Sequence, residues 1–119
     1  MMKIVVKKPN EAAEMREVEA LDLRTMQEIV GGYVQMLPVE GIDVDLWCNE
    51  EGKLEGREPN IAIAGPEGVF DIVVGTAFFA EGDDEGDEVG LGNDKVELLL
   101  DALNAPTAVA YGCPVLKIM

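Results

Sequence analysis

Histidine and serine are absent from this chain of 119 residues, threonine occurs three times and cysteine twice, and nine basic residues face 24 acidic ones. Each shortage removes a class of chemistry. Without serine or histidine there is no serine triad, no Cys–His dyad and no His-bearing metal centre. Two cysteines without histidine make no zinc set. No apolar run approaches the roughly 18 residues of a membrane span, and Ile4 to Val6 after Lys3 is too short for a signal-peptide core. The expectation is a cytoplasmic protein whose Cys48 and Cys113 are reduced thiols. A phosphate loop of the G-x-x-x-x-G-K-[ST] type is missing, and Gly31-Gly32 reads as a helix stop rather than a dinucleotide turn. No cofactor, no metal and no enzymatic activity are expected.

What is present is a chain of 12.8 kDa, the size of one domain. Its 48% apolar content is ordinary, and a chain this long buries about two-thirds of its surface, so one core forms without disulfides. The formal charge is −15. Residues 1 to 59 hold 13 acids and seven bases, and residues 60 to 119 hold 11 acids and two bases, so the second half is the more acidic. Such a surface repels phosphate within a Debye length of ~8 Å and lacks the Lys and Arg that displace counterions. Direct nucleic-acid binding and anionic membranes are excluded on that ground, and a protein with a basic surface is the favoured partner.

Local pattern supplies the elements. Met2 to Lys7 is β-branched and stopped by Pro9-Asn10, which predicts a first strand, with a weaker one at Met15 to Glu19. Asp22 is a helix N-cap, Leu21 and Met26 form a hydrophobic staple and Gly31 is the stop, so a helix occupies 23 to 30. Tyr33 to Leu37 and Ile42 to Cys48 read as a hairpin. In its second run Ile42, Val44, Leu46 and Cys48 share one face, and Asp43, Asp45, Trp47 and Asn49 the other. Trp47 then lies among carboxylates unless another segment covers it. Residues 49 to 68 read as mostly irregular, and Val69 to Ala80 as one central strand with a bulge or close approach at Gly75. Residues 81 to 88, with six acids in eight positions, form a hairpin tip before a return at Val89 and Leu91. Asp94 and Glu97 stand at capping-box spacing for a last helix that buries Val96, Leu99, Leu100 and Leu103. The fold class is α+β, with a mainly antiparallel sheet of about five or six strands and two short helices. Residues 1 to 103 make the domain, and 104 to 119 a C-terminal extension that serves as an edge strand or an oligomer contact.

Carboxylates are the remaining route to catalysis, since burial separates the pKa values of paired acids. Asp71, Asp43 and Asp45 have some apolar surroundings, and each is more simply a solvated strand residue. The tip also fails the calcium-loop pattern. With Gly86 at the sixth position, the twelfth would be Gly92, which offers no bidentate carboxylate.

Three segments carry a resemblance: Gln27 to Val34, then Asn49 to Leu54 with Pro59-Asn60, then Asp71 to Phe78. In order and spacing they resemble an uncharacterised family of small proteins of phages, plasmids and integrative elements of bacteria, over residues 2 to 103. Arg57-Glu58 stands where the pattern is more apolar, and the tail from Asn104 lies beyond it. The resemblance implies origin and compartment more than mechanism. It also singles out Tyr33, Asn49, Glu50, Lys53, Asn60 and Thr76, polar groups suited to orient a ligand or a partner's backbone.

The leading expectation is a non-enzymatic binding protein of a phage or mobile element that engages a host or element protein through its acidic surface. Glu81, Asp83, Asp84, Glu85, Asp87 and Glu88 are the chief candidates, and imitation of nucleic-acid phosphate is the sharpest form of the idea. A second reading is a binder of nucleotides or metabolites with a pocket at Tyr33, Asn49, Asn60 and Gly75-Thr76. A third is a carboxylate-dependent hydrolase. Homo-oligomerisation is compatible with all three.

Overall fold

The computed structural model describes residues 1–118. The chain forms β1 (Met2–Lys7), β2 (Glu14–Val18), α1 (Leu23–Val30), β3 (Val34–Val39), β4 (Val44–Asn49), β5 (Pro59–Gly65), β6 (Gly68–Val74), β7 (Ala77–Gly82), β8 (Glu88–Val89), α2 (Asn93–Asn104), β9 (Val109–Ala110) and β10 (Cys113–Lys117). An antiparallel sheet of six strands runs β2-β1-β7-β4-β3, with β8 paired to β7. A second sheet of four strands runs β6-β5-β10-β9, in which β10 lies parallel to β5. The architecture is α+β.

α1 forms where local chemistry requires it. The Asp22 carboxylate accepts from the Thr25 N–H at 2.8 Å, and Gly31 takes the left-handed φ of 77° that closes the last turn. Its Met26 and Val30, with Leu21, cover Ile4, Val6, Phe78 and Ala80 on one face of the main sheet. The other face is covered by α2 and the second sheet. Val96, Leu99 and Leu103 there share one buried cluster with Val5, Leu46 and Phe79 of the main sheet and Ile61, Ile63 and Leu116 of the second. The main sheet is thus sandwiched, and the larger core lies between the two sheets.

Three sequence expectations are corrected. The apolar run from Val69 is two strands in different sheets. Gly75, at φ 74°, turns the chain from one sheet into the other, and its N–H is held by the Glu58 carbonyl at 2.8 Å. A Cβ at Gly75 would lie 2.8 Å from Arg57 Cδ, so the close approach is that of a side chain. Residues 59–65, read as irregular, form β5. Pro59 occupies the strand's first position, where its missing N–H does no harm, and residues 60–64 are buried. α2 starts two residues early, with Gly92 in place of Asp94 as its N-cap and no side-chain cap, while Asp94 lies in the first turn. The tail continues into β9 and β10, and β10 sits between β5 and β9.

Candidate functional site

Asn49 closes β4, and its buried amide organises the loop that follows. Its Oδ1 accepts from the Glu51 N–H at 2.8 Å, and its Nδ2 donates to the Val30 carbonyl at 3.4 Å and to Glu55 Oε1 at 3.3 Å. Arg57 completes this junction by donating to the Val30 carbonyl at 3.3 Å and the Gly31 carbonyl at 3.0 Å, while its Nε holds Glu55. A cation on the open carbonyls of a helix C-terminus opposes its dipole. Sequence reasoning noticed Arg57 only as a departure, and its capping role became visible only once the loop was folded beside α1.

Two clefts flank this loop. One, of about 160 Å³, opens between β4 and β6 and is lined by Leu37, Cys48, Asn49, Lys53, Asp71 and Val73. Lys53 closes its rim by donating to Asp71. Burial pushes the Asp71 carboxyl up, but the Lys53 ammonium and the Ile72 N–H outweigh it and hold the group below its usual range. Burial pushes the Cys48 thiol up, with the Asp71 charge adding to it. An ionised Asp71 paired to lysine is no general acid. The second is an open groove of about 480 Å³ at the C-terminus of α1, bordered by Gly31, Gly32, Tyr33, Asn49, Glu51 and Glu55.

The residues singled out by resemblance are therefore divided. Asn49, Glu50 and Lys53 line the first cleft, and Asn49 and the exposed Tyr33 the second. Asn60 lies apart, 1% exposed, with its Oδ1 accepting from Lys7 Nζ at 3.0 Å and its Nδ2 donating to the Lys7 and Gly75 carbonyls at 2.8 Å each. Thr76 follows Gly75 at the corner between sheets. Neither cleft beside the loop gathers Tyr33, Asn49, Asn60 and Thr76, and Asn60 spends its amide on the Lys7 ammonium and two backbone carbonyls. Lys7 itself is buried on the strength of that contact and a bond to the Lys8 carbonyl at 2.9 Å. Burial lowers the Lys7 pKa, against the opposing influence of Cys113 and Glu11.

The acidic hairpin between β7 and β8 is ordered by its own first aspartate. Asp83 Oδ1 accepts from the Glu85 and Asp87 N–H groups at 2.9 Å each, and the Asp83 N–H donates to the Asp87 carbonyl at 2.8 Å. This turn sets Asp83, Asp84, Glu85 and Asp87 in the solvent. Among the described residues, Asp83, Glu85 and Asp87 form the one trio of acidic groups whose oxygens approach within 4.8 Å of one another. Such oxygen ligands suit hard cations rather than soft metals. At the base of the hairpin Lys95 holds Glu81 at 3.1 Å and the Asp43 carbonyl at 3.0 Å, which ties the hairpin to α2.

Glu88 behaves differently from the tip. It lies on the α1 side of the main sheet, accepts from the Trp47 indole N–H and faces Asp45, with the charge of Asp83 nearby. The Trp47 ring stacks on Phe78 at a centroid distance of 6.4 Å, so the tryptophan is half-buried and still among carboxylates. Burial pushes the Glu88 carboxyl up, the indole N–H opposes this, and the hydrogen bond and charge of Asp45 carry it to about 7. The pair was not legible in the sequence, because it takes the β4–β7 and β7–β8 registers together to bring Glu88 beside Asp45.

A consequence for stability follows. The folded pKa of Glu88 is raised, so the folded state holds this proton more tightly than the unfolded chain. The contribution is complete below the unfolded value of 4.5 and is lost as pH rises through about 7. After discounting for solvent screening, we expect the wild-type protein to lose about 1 to 2 kcal/mol between pH 5 and 8 from this group. Glu88→Gln, which keeps an acceptor for Trp47 and offers Asp45 a permanent donor, is expected to remove that loss. Urea unfolding of both proteins at the two pH values checks it, and an identical pH dependence in the two would contradict it.

The sequence pattern described as "Domain of unknown function (DUF3846)" matches residues 2–104. Searches of curated proteins and of solved structures gave no match. The chain belongs to the DUF3846 family, and the family's description assigns no activity.

Proposed function

We propose that this member of the family is a non-enzymatic binding protein that engages a protein with a basic surface through its acidic hairpin. The observation that carries this reading is the placement of charge. Six of the 24 acids pair with a base, which leaves eighteen without one among the described residues. Five of the nine bases are used in those pairs, and Lys3 and Lys7 are bound to asparagines. Asp83, Asp84, Glu85 and Asp87 therefore project an uncompensated field from a turn whose backbone is fixed. Fixed charges lose little entropy on docking and steer an oppositely charged partner. Imitation of nucleic-acid phosphate toward a basic groove, action in the cytoplasm and an origin in phages or other mobile elements belong to this reading as its finer parts.

The readings that need a pocket have less support. A cleft of about 160 Å³ is below the 300 to 1,000 Å³ typical of small-molecule sites, and in the larger open groove Arg24 is already paired with Glu28, beside a Glu51 unpaired among the described residues, which offers an anionic nucleotide no free cation. A carboxylate hydrolase would use Asp45 and Glu88, whose carboxyls face each other, but neither lines the two clefts beside the loop.

Capture from a bacterial lysate at low salt tests the proposal. The wild-type chain is expected to retain basic proteins that a variant with Asp83→Asn, Asp84→Asn, Glu85→Gln and Asp87→Asn does not. Retention of the same proteins by both would refute a role for the hairpin, and an equal loss on changing Tyr33 would move the site to the α1 groove.

A further inference from the structure

Strand β3 ends the main sheet and β6 ends the second, and the cleft of about 160 Å³ lies between these two edges, with β4 behind them. Part of its lining is apolar. Val73 belongs to the cluster packed between the sheets, and Leu37 and Cys48 lie against that cluster. The rim is charged, because Lys53 and Asp71 pair across it. Leu54 is the one apolar residue of the loop 50–58, and it lines the cleft although 89% of it is exposed. The loop is held at two points. Gly52 packs on β6, where a Cβ would lie 2.9 Å from Val74 Cγ2, and Arg57 is bound to the C-terminus of α1. Lys53 and Leu54 are thus presented to the cleft from a fixed stretch of chain.

Size and charge together define what fits. A cavity of about 150 Å³ accepts a benzene ring, so this cleft takes a group of roughly four to six carbons and no nucleotide. Lys53 and Asp71 are 65% and 48% exposed, and an ion pair in that setting contributes little to stability, so a ligand parts it at small cost. What replaces it must satisfy both members. A simple anion takes Lys53 and leaves Asp71 without a partner, and a simple cation does the reverse. A small zwitterion satisfies both at once. Its carboxylate accepts from the Lys53 ammonium, its own ammonium donates to Asp71, and an aliphatic side chain fills the space beside Leu37, Cys48 and Val73, with Leu54 over it.

We propose that the cleft between β4 and β6 binds a free α-amino acid with a branched aliphatic side chain, held at its two charged groups by Lys53 and Asp71. None of the acids of the hairpin tip lines this cleft. The amino-acid site and the docking of a basic protein therefore stand or fall separately.

Calorimetric titration of the full chain with L-leucine tests it, alongside isocaproate, which keeps the side chain and carboxylate but lacks the ammonium, and isoamylamine, which lacks the carboxylate. L-leucine is expected to bind. Each of the other two leaves one charge of the parted pair unmatched and is expected to bind about tenfold more weakly or worse. Lys53→Met should weaken leucine binding by about tenfold and Leu54→Gly by about threefold. Both positions are exposed, so the circular dichroism spectrum should be unchanged. In the wild-type chain, backbone amide signals of Cys48 and Val73 should shift as leucine is added. Absence of binding at millimolar L-leucine, equal binding of isocaproate or isoamylamine, or leucine binding that Lys53→Met leaves unchanged would each overturn the proposal.

Discussion

Replacing Asn60 with leucine is expected to lower the unfolding free energy by about 3 to 5 kcal/mol, although the two side chains are similar in size. The amide satisfies three groups at once: the Lys7 ammonium and the carbonyls of Lys7 and Gly75. Leucine leaves the two buried carbonyls without this donor and the ammonium with the Lys8 carbonyl alone. The ammonium is the most costly of them, since the described residues offer it no carboxylate within ion-pair distance. The two carbonyls matter because one belongs to β1 and the other to the corner at Gly75, so Asn60 joins the main sheet to the second. Urea unfolding measures the loss. Introducing Lys7→Met into the Asn60→Leu background should recover part of it by removing the stranded charge. A loss below about 1 kcal/mol in the single variant would show that water replaces the amide and that the junction is open.

Leu99→Ala is expected to destabilise by about 2 to 5 kcal/mol, which in a domain of this size lowers Tm by ten degrees or more, roughly. Leu99 is fully buried on α2, within the cluster that joins both sheets. Truncation removes apolar contact and leaves a cavity that strands on either side prevent from collapsing. The adjacent Leu98 is exposed, and Leu98→Ala is expected to change stability by less than about 0.5 kcal/mol. Calorimetry of the two variants checks the contrast. Equal effects would mean that α2 is rotated or loosely docked.

The contrast between α1 and the second sheet shows which parts of the fold are legible in sequence. Asp22, Leu21, Met26 and Gly31 specify α1 among themselves, within one stretch of chain, and its limits at 23 and 30 agree with the structure. The second sheet depends on β5 meeting β10, where Ala62 pairs with Val115, nearly half the chain away in sequence. No local pattern encodes that encounter. The run from Val69 was misleading for a related reason: a glycine at positive φ reads the same whether it makes a bulge within a strand or a corner between two sheets. At the candidate site, the acidic hairpin is plain from composition alone. Asn60 is not, because an amide that holds backbone groups in a core and one that orients a ligand have the same signature. The Asp45–Glu88 pair requires the strand register, which the sequence does not display.

The most direct test of the account is the affinity of the wild-type chain for a basic protein retained by it, measured by calorimetric titration at low and high ionic strength. Recognition through Asp83, Asp84, Glu85 and Asp87 predicts a fall of about tenfold or more between ~50 and ~300 mM salt, and a comparable fall at low salt when these four acids are neutralised. An affinity that holds constant across both changes would contradict it.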